Sequence, residues 1–559
     1  MARWRKTDTA VLVAILCIAG ATALLWLYTI PFHKAPDEGA HFQIVRFISD
    51  HGRLPVFSPD DLWLIATPSG AVETYAAYPP LAYMVDAGVG WLTREEAMWA
   101  ARYASLASYI GTVALTYWIA RRLFPDSRAI AITTAMLVGF LPQLTFTAAY
   151  VNNDALAVLE TAAMLGLLIC AWQSGARART LAGVGLLAGE LLITKYTFYG
   201  VAAIGFGTAA LLAIREGRSL GMRLFALAAA TAATSGWWFV RNIALYEEVI
   251  PGQVIADAKA SAGGNTLFVP IDHGVTLLTL STQTNFWEMT LKSFVAGFGF
   301  MAIFLDAPYY WLVAGIAAVG VIGVLVALRK GRPERPRLAA AAVALAIIAS
   351  TIALDMVVNV YGEYSPQGRY LFPALIPLAL IVARGWFAFS DLSRLLRWVP
   401  SMGVLAFVGL NLIGLVFFEI PRHYGPTAER IMVQMDRPSN ARHGGEAIEV
   451  AGWSLVEGQP AWRPFAPDLV SRYRQPTPEV KIYADGPPGV GRFLAQARNG
   501  FKRPDVADFY GRLKAIDRTG FWFMVPAGSL SPGRHALYAC ATAPSATAPT
   551  CGEKDLEIL

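Results

Sequence analysis

The chain has 559 residues, of which 55% are hydrophobic and only 15% charged, and it carries a formal charge of +6 at pH 7. With a mean hydropathy of +0.45, this composition excludes an ordinary soluble globule and an intrinsically disordered chain, and makes the bilayer the solvent for most of the sequence. The excess of Lys and Arg (46) over Asp and Glu (40) falls in short loops between apolar stretches, so it reads as a topology signal and not as a nucleic-acid-binding surface.

Crossing about 30 Å of hydrocarbon takes roughly 20 helical residues. About eleven stretches are apolar enough to be drawn as spans: 10–31, 100–121, 129–150, 155–173, 180–195, 198–214, 222–243, 308–328, 338–359, 370–388 and 400–419. Arg3, Arg5 and Lys6 precede the first, which holds Trp26 and Tyr28 and has no small-residue cleavage site, so it reads as a retained anchor with its N-terminus inside. Alternate loops then carry Arg121, Arg122 and Arg128, next Arg177 and Arg179, next Arg215, Arg218 and Arg223. The series continues with Arg329, Lys330, Arg332, Arg335 and Arg337 and ends with Arg384, Arg394 and Arg397, all on the cytoplasmic face of a bacterial inner membrane. The opposite, periplasmic face receives two long loops, 32–99 and 244–307, and short turns near Asn152, Lys195 and 360–369.

In the first outer loop, Pro36 to His51 reads as a surface helix with Phe42, Val45 and Ile48 on one side and Gly52 as its stop. It opens with APDEGAH, which sets Asp37 and Glu38 at the level of the lipid headgroups with His41 one turn on. A carboxylate there can take a proton from an attacking hydroxyl, and Asp37 is the candidate base. The structural alternative is that Pro36 starts the helix while Asp37 and Glu38 complement its dipole. His41 is suited to orient a carboxylate, to help hold a divalent metal, or to serve only as a hydrogen-bonded structural group. Further on, YVNND sets Asp154 at the start of a span, either as a second functional carboxylate beside Asp37 or as a helix-start acid capped by Asn152 and Asn153.

Cations at outer helix ends run against the positive-inside rule, and four stand there: Arg102, Lys195, Arg241 and Arg369. They are suited to grip a lipid phosphate, or else they snorkel to phospholipid headgroups. Tyr361, Glu363 and Tyr364 precede Arg369 and are candidates to line the same cleft, Tyr364 serving equally well as an interfacial belt residue. The intramembrane acids Glu160, Glu190 and Asp355 lie in the outer halves of their helices, not at the midplane site between broken helices that a transporter builds.

After Glu419 no stretch could span a bilayer, and Pro and Gly become frequent. Short alternating runs at Ile448–Trp453, Val480–Tyr483, Phe521–Val525 and His535–Cys540, separated by turns such as DGPPG and SPGRH, predict an antiparallel β-sandwich over 421–559. Cys540 and Cys551 flank the loop ATAPSATAPT in a region expected to be oxidising, which predicts a disulfide between them. Trp453, Trp462 and Trp522 read as core residues or, alternatively, as glycan contacts.

The segments APDEGAHF with GRLP, YPPLAY, LPQLTFTAAYVNNDALA, WWFVRN and SPQGRYLFPAL together resemble the GT-C clan of polyprenyl-phosphate-dependent glycosyltransferases. The likeness is closest to a bacterial membrane-protein branch of unassigned function related to protein O-mannosyltransferases and aminoarabinose transferases, and it covers 1–420. It implies an all-helical membrane domain over 1–420 and an inverting transferase. It also implies Asp37 as base with Glu38 beside it, Asp154 as the second-loop acid and Arg369 on the donor phosphate, while Asn153 and His41 stand as further candidates to line the substrate pocket. The implied partners are a polyprenyl-phosphate sugar, a glycan, lipid or protein acceptor, and membrane lipids, but no nucleic acid. Metal dependence varies in the family, so Mg or Mn held by Asp37, Asp154 and His41 stays open. The competing functions are a lipid-linked sugar flippase and a non-catalytic scaffold of a polysaccharide complex.

Overall fold

The computed structural model describes the chain except residues 1–5, 33, 59–60, 63–64, 67–71, 218, 262–268, 300, 331–334, 363, 391–395, 421–429, 439–441, 444–446, 458–472, 475–477, 510–517 and 543–547. Arg3, Arg5, Arg218, Arg332, Glu363, Arg394 and Trp462 therefore lie outside the described residues. The chain forms two compact units, one of residues 1–30 and 34–419, the other of 31–33 and 420–559.

The first unit is mostly helical. Among the described residues, seven helical segments are long and apolar enough to cross a membrane, which makes this a multi-pass membrane protein: Lys6–Thr29, Asp154–Ser174, Tyr196–Glu216, Ala307–Arg329, Leu338–Tyr361, Gly368–Phe389 and Leu396–Glu419. All seven were drawn from the sequence. The other four expected spans are helical but shorter or less apolar. The stretch drawn as 129–150 is two helices, Arg128–Gly139 and Pro142–Thr147. Proline lacks the amide that would continue the first helix, and it pushes Leu141 into an extended conformation, φ −65° and ψ 117°. The 180–195 stretch is the helix Ala178–Thr194, and the remaining two are the 27-residue helices Ala97–Leu123 and Leu220–Tyr246.

Numbered in chain order, the helices that position the site are α1 (Lys6–Thr29), α2 (Glu38–His51), α3 (Leu81–Thr93), α4 (Ala97–Leu123), α5 (Asp154–Ser174), α6 (Ala178–Thr194), α7 (Leu220–Tyr246), α8 (Thr284–Ala296) and α9 (Arg335–Tyr361). The expected surface helix is α2, and Gly52 ends it as predicted, with φ 66° and its amide bonded to the Ile48 carbonyl. Phe42, Val45 and Ile48 are buried, with Ile44 and Phe47 beside them, while Gln43, Arg46 and Asp50 keep a polar side partly open. The apolar side of α2 is thus packed into the helical unit.

The second unit has two five-stranded sheets. One contains β1 (Arg430–Arg437), β2 (Ile448–Glu457) and β4 (Gly520–Val525); the other contains β3 (Glu479–Ala484), β5 (Gly533–Thr542) and β6 (Thr550–Ile558). Alternate residues of both, including Val450, Val456, Phe521 and Val525 from one and Val480, Ile482, Leu537, Ala539 and Leu556 from the other, share a single apolar core. This is the packing of a sandwich. Cys540 pairs with Cys551 across β5 and β6, and the two form a disulfide.

At the end of that sandwich, His535 faces Asp485 through Nδ1 at 2.9 Å and the Ser531 carbonyl through Nε2 at 2.7 Å. Acceptors at both ring nitrogens favour the doubly protonated ring, and the Asp485 hydrogen bond, with help from the Ser531 carbonyl, raises the His535 pKa above 6.5 against the opposing effect of burial. The stabilisation this turn gains is fully present below pH 6.5 and is lost as pH rises through the folded pKa. A histidine NMR titration should find His535 titrating above 6.5 in the wild type, and lower in Asp485→Asn.

Candidate active site

Asp37 precedes α2 in the left-handed region, with φ 58° and ψ 8°. A non-glycine residue is held there at a cost of about 1–3 kcal/mol. Its carboxylate makes no capping hydrogen bond to α2, although it stands at the helix N-terminus where a negative charge complements the dipole. Instead it accepts a hydrogen bond from Arg369 Nη2 and another from the Tyr75 hydroxyl. Arg369 stands on a short 3-10 segment, Gly368–Ala374, after α9. A Cβ at Gly368 would lie 1.9 Å from the Phe294 amide nitrogen of α8. The Gly368 amide donates to Ser293 Oγ at 2.8 Å, so the absence of a side chain is what lets the arginine-bearing segment rest on α8.

Asp154 is the first residue of α5 and is fully buried. The capping that the sequence assigned to its neighbours is done by Asn152, whose Oδ1 accepts from the Ala155 amide at 3.0 Å. That leaves the Asp154 carboxylate free to turn to Lys195, whose Nζ donates to Oδ1 at 2.6 Å. Asp154 Oδ2 lies 4.0 Å from Arg369 Nη1. At that separation opposite charges attract by about 4 kcal/mol at an effective dielectric constant of 20. The four groups form one alternating row, Lys195, Asp154, Arg369, Asp37. Asp154 Oδ2 and Arg369 Nε and Nη1 are nevertheless buried without a hydrogen-bond partner.

Aromatic rings enclose the row. Lys195 Nζ and the Arg369 guanidinium each stand 5.8 Å from the centre of the Tyr370 ring. The His41 ring lies 4.7 Å from that of Tyr75, and its Nδ1 is 2.8 Å from the Tyr83 hydroxyl. Burial pushes the His41 pKa down to about 3, with Arg369 and Lys195 adding to it against Asp37, so the ring is neutral near pH 7. Burial pushes the Asp37 carboxyl up, but Arg369, by charge and by hydrogen bond, outweighs it and holds the pKa below its usual 3.8.

Other candidates are placed elsewhere. Glu38 and Arg102 are both wholly buried and face each other as a two-pronged pair, Nε to Oε1 at 2.8 Å and Nη2 to Oε2 at 3.0 Å. Arg102 Nη1 also holds the Leu27 and Ile30 carbonyls at 3.0 and 2.9 Å, and Glu38 accepts the Val151 amide at 3.2 Å. With protein partners on every side, this pair fastens α2 to α1 and α4, which corrects the expectation of a catalytic Glu38 and a phosphate-binding Arg102. Arg241 donates to the Pro55 carbonyl at 2.7 Å and stacks 5.1 Å from the Trp238 ring, so it pins the first outer loop to α7. Tyr361 is 58% exposed, and Tyr364 packs on an apolar cluster of Leu280, Phe286 and Val360. Neither belongs to the charged row. Asn153 is buried beside it, its Nδ2 donating to the Thr194 carbonyl at 3.3 Å.

A divalent metal does not suit these residues. Lys195 and Arg369 already neutralise the two carboxylates and would repel the ion, and His41 Nδ1 is engaged by Tyr83. Among the described residues no group of three or more His, Cys, Asp or Glu side chains could hold one. Residues the sequence did not single out for the site are Tyr75, Tyr83, Tyr370, Gly368 and Ser293. The available hints were the segments YPPLAY, which holds Tyr83, and SPQGRYLFPAL, which holds Gly368 and Tyr370. A cavity of about 520 Å³, lined by Trp118, Arg122, Leu168 and Trp172 among others, adjoins the last turns of α5 and not Asp154 at its start.

Residues 78–238 match the family described as dolichyl-phosphate-mannose-protein mannosyltransferase. The matched segment contains Asp154 and Lys195 but neither Asp37 nor Arg369. No curated protein sequence matches the chain. Among solved structures, the chain is similar to ArnT from Cupriavidus metallidurans bound to undecaprenyl phosphate, at 16% identity over 75% of this chain and 66% of that one, with a TM-score of 0.46. It is also similar to the oligosaccharyltransferase of Archaeoglobus fulgidus tethered with an acceptor peptide, at 13% identity over 73% and 54%, with a TM-score of 0.37. A third similarity is to the S. cerevisiae protein O-mannosyltransferase Pmt1-Pmt2 complex bound to the sugar donor, at 17% identity over 51% and 37%, with a TM-score of 0.31. The chain thus spans two thirds or less of the length of these structures.

Two outcomes follow from the geometry. Glu38→Ala leaves Arg102 buried without its partner and should cost about 3–5 kcal/mol of stability, seen as a lowered midpoint on thermal unfolding in detergent. Arg369→Gln removes the charge that offsets burial at Asp37, so the Asp37 pKa should rise and the acid limb of any Asp37-dependent activity should move up from below about pH 4.

Proposed function

We propose that this chain is a membrane glycosyltransferase that moves a sugar from a polyprenyl phosphate to an acceptor hydroxyl on the outer face of a bacterial inner membrane. One observation carries this reading: two carboxylates and two cations meet in a single row, and Arg369 keeps two buried donor nitrogens without a hydrogen-bond partner beside the half-buried Asp37. A polyprenyl-linked phosphodiester supplies the acceptors those nitrogens lack. The family match over 78–238 agrees in substrate class.

In this reading the acceptor oxygen attacks the anomeric carbon while Asp37 takes its proton. The bond from that carbon to the phosphate oxygen breaks with inversion, and the electron pair leaves on the polyprenyl phosphate. Arg369 and Lys195 stabilise the charge gathering on that oxygen. Sharing Arg369 with phosphate weakens its hold on Asp37, which raises the basicity of Asp37 at the moment it is needed. Asp154 fixes Lys195 and, through charge, Arg369. His41, neutral and tied to Tyr83, orients the Tyr75 and Asp37 side of the site.

A flippase would use the cations but needs no base, so one substitution separates the functions. In proteoliposomes with radiolabelled polyprenyl-phosphate sugars and candidate acceptors, Asp37→Asn should lower transfer about 10²–10⁴-fold while the protein still binds polyprenyl phosphate. Arg369→Gln should weaken that binding at least about tenfold, the effect of losing a charge-assisted hydrogen bond. Undiminished transfer by Asp37→Asn would overturn the assignment.

A further inference from the structure

The cavity of about 520 Å³ lies toward the end of the bundle remote from the charged row. From Asp154, α5 rises about 17 Å to Leu165 and about 28 Å to Gln173, and both residues line the cavity. Leu165, Leu168, Ile169 and Trp172 keep the three- and four-residue spacing of one helix face. On α9 the same space is lined by Ala340 and Ala344, whose side chains are too short to fill it. The volume is that of a ligand pocket, about 300–1,000 Å³. A mostly apolar space of this kind does not favour water, and its lining gains contacts when a hydrocarbon chain enters.

Positive charge gathers at the same end. Arg122, one turn beyond Trp118 on α4, lines the cavity, and its guanidinium stands 4.9 Å from the centre of the Trp118 ring. Arg122 donates to Gln173 Oε1 at 3.4 Å, and Gln173 Nε2 donates to the Arg122 carbonyl at 3.2 Å. Arg215, on the helix Tyr199–Glu216, stands 5.1 Å from the centre of the Trp172 ring. The acids nearby are already engaged: Asp8 lies 3.2 Å from Arg121 and 2.9 Å from Arg128, and Glu216 lies 2.7 Å from Arg223. Asp126, in the loop after α4, is exposed. Among the described residues the lining holds two arginines, Arg121 and Arg122, and no acid, and neither Arg122 nor Arg215 pairs with a carboxylate.

We propose that this cavity binds an anionic phospholipid from the leaflet opposite the charged row, with an acyl chain among Leu165, Leu168 and Ala340 and the phosphate at Arg122, Gln173 and Arg215. A basic pocket between membrane helices suits an anionic headgroup, and the arginines offer it charge-assisted hydrogen bonds. A zwitterionic lipid brings its own cation to the same arginines and gains less. The lipid is distinct from the polyprenyl phosphate of the proposed reaction, whose phosphate belongs with Lys195 and Arg369 at the other end of α5. The inference needs only the multi-pass bundle and stands apart from the transferase reading.

The test titrates the full chain in detergent micelles with phosphatidylglycerol, with phosphatidylcholine of the same acyl chains and with polyprenyl phosphate, counting bound lipid by native mass spectrometry. A second series adds inorganic phosphate as competitor. The wild type should bind phosphatidylglycerol at least about tenfold more tightly than phosphatidylcholine. Arg122→Gln should weaken phosphatidylglycerol about tenfold, the effect of losing a charge-assisted hydrogen bond, and leave polyprenyl phosphate unchanged. Ala340→Trp fills the cavity with Arg122 in place and should weaken phosphatidylglycerol to a similar degree; either variant decides if the other does not fold. Equal binding of the two phospholipids by the wild type, or unchanged phosphatidylglycerol binding in a folded variant, overturns the proposal. Displacement by inorganic phosphate overturns it in favour of a free-anion site. An equal loss of polyprenyl phosphate in Arg122→Gln overturns it in favour of a groove for the donor lipid.

Discussion

The pairing of Arg369 with Asp37 joins residues 332 positions apart and decides what either can do. Without the arginine, burial would raise the pKa of the Asp37 carboxyl and reduce the ionised fraction able to accept a proton. An arginine alone at this depth would be an isolated charge, with a desolvation penalty of several kcal/mol. Each makes the other tolerable, and Lys195 and Asp154 extend the same logic by one more pair. The remainder of the architecture holds these four groups in register: Asn152 relieves Asp154 of capping, Gly368 brings the arginine segment onto α8, and Glu38 with Arg102 fixes the start of α2.

Much of this was legible because bilayer physics writes large in sequence. The seven spans announce themselves by apolar length, and the strands of the C-terminal unit by alternation and turns. β1 and β6 carry weaker patterns, with Arg430, Glu553, Lys554 and Asp555 interrupting them, and were not drawn. The break at Pro142 was visible in principle but was outweighed by the apolar residues on either side. Asp37, Asp154, Lys195 and Arg369 stood out as charges in places where charge is costly, which is a local signal and needs no knowledge of the fold.

What the sequence left undecided were pairings. Glu38 and Arg102 looked as chemically able as Asp37 and Arg369, and only three-dimensional contact shows that one couple is saturated by protein while the other retains bare donors. Tyr75 and Tyr370 were hidden because an aromatic residue near an interface has an ordinary explanation in every membrane protein.

The Glu38 and Arg102 couple has a mechanical side. Arg102 grips the Leu27 carbonyl in the last turn of α1 and the Ile30 carbonyl just beyond it and, through Glu38, the first residue of the helix that Asp37 precedes. The Asp37 carboxylate is thereby tied to the end of an apolar rod whose immersion follows lipid thickness. Rod and carboxylate are coupled as one body, so bilayer thickness bears on where Asp37 stands.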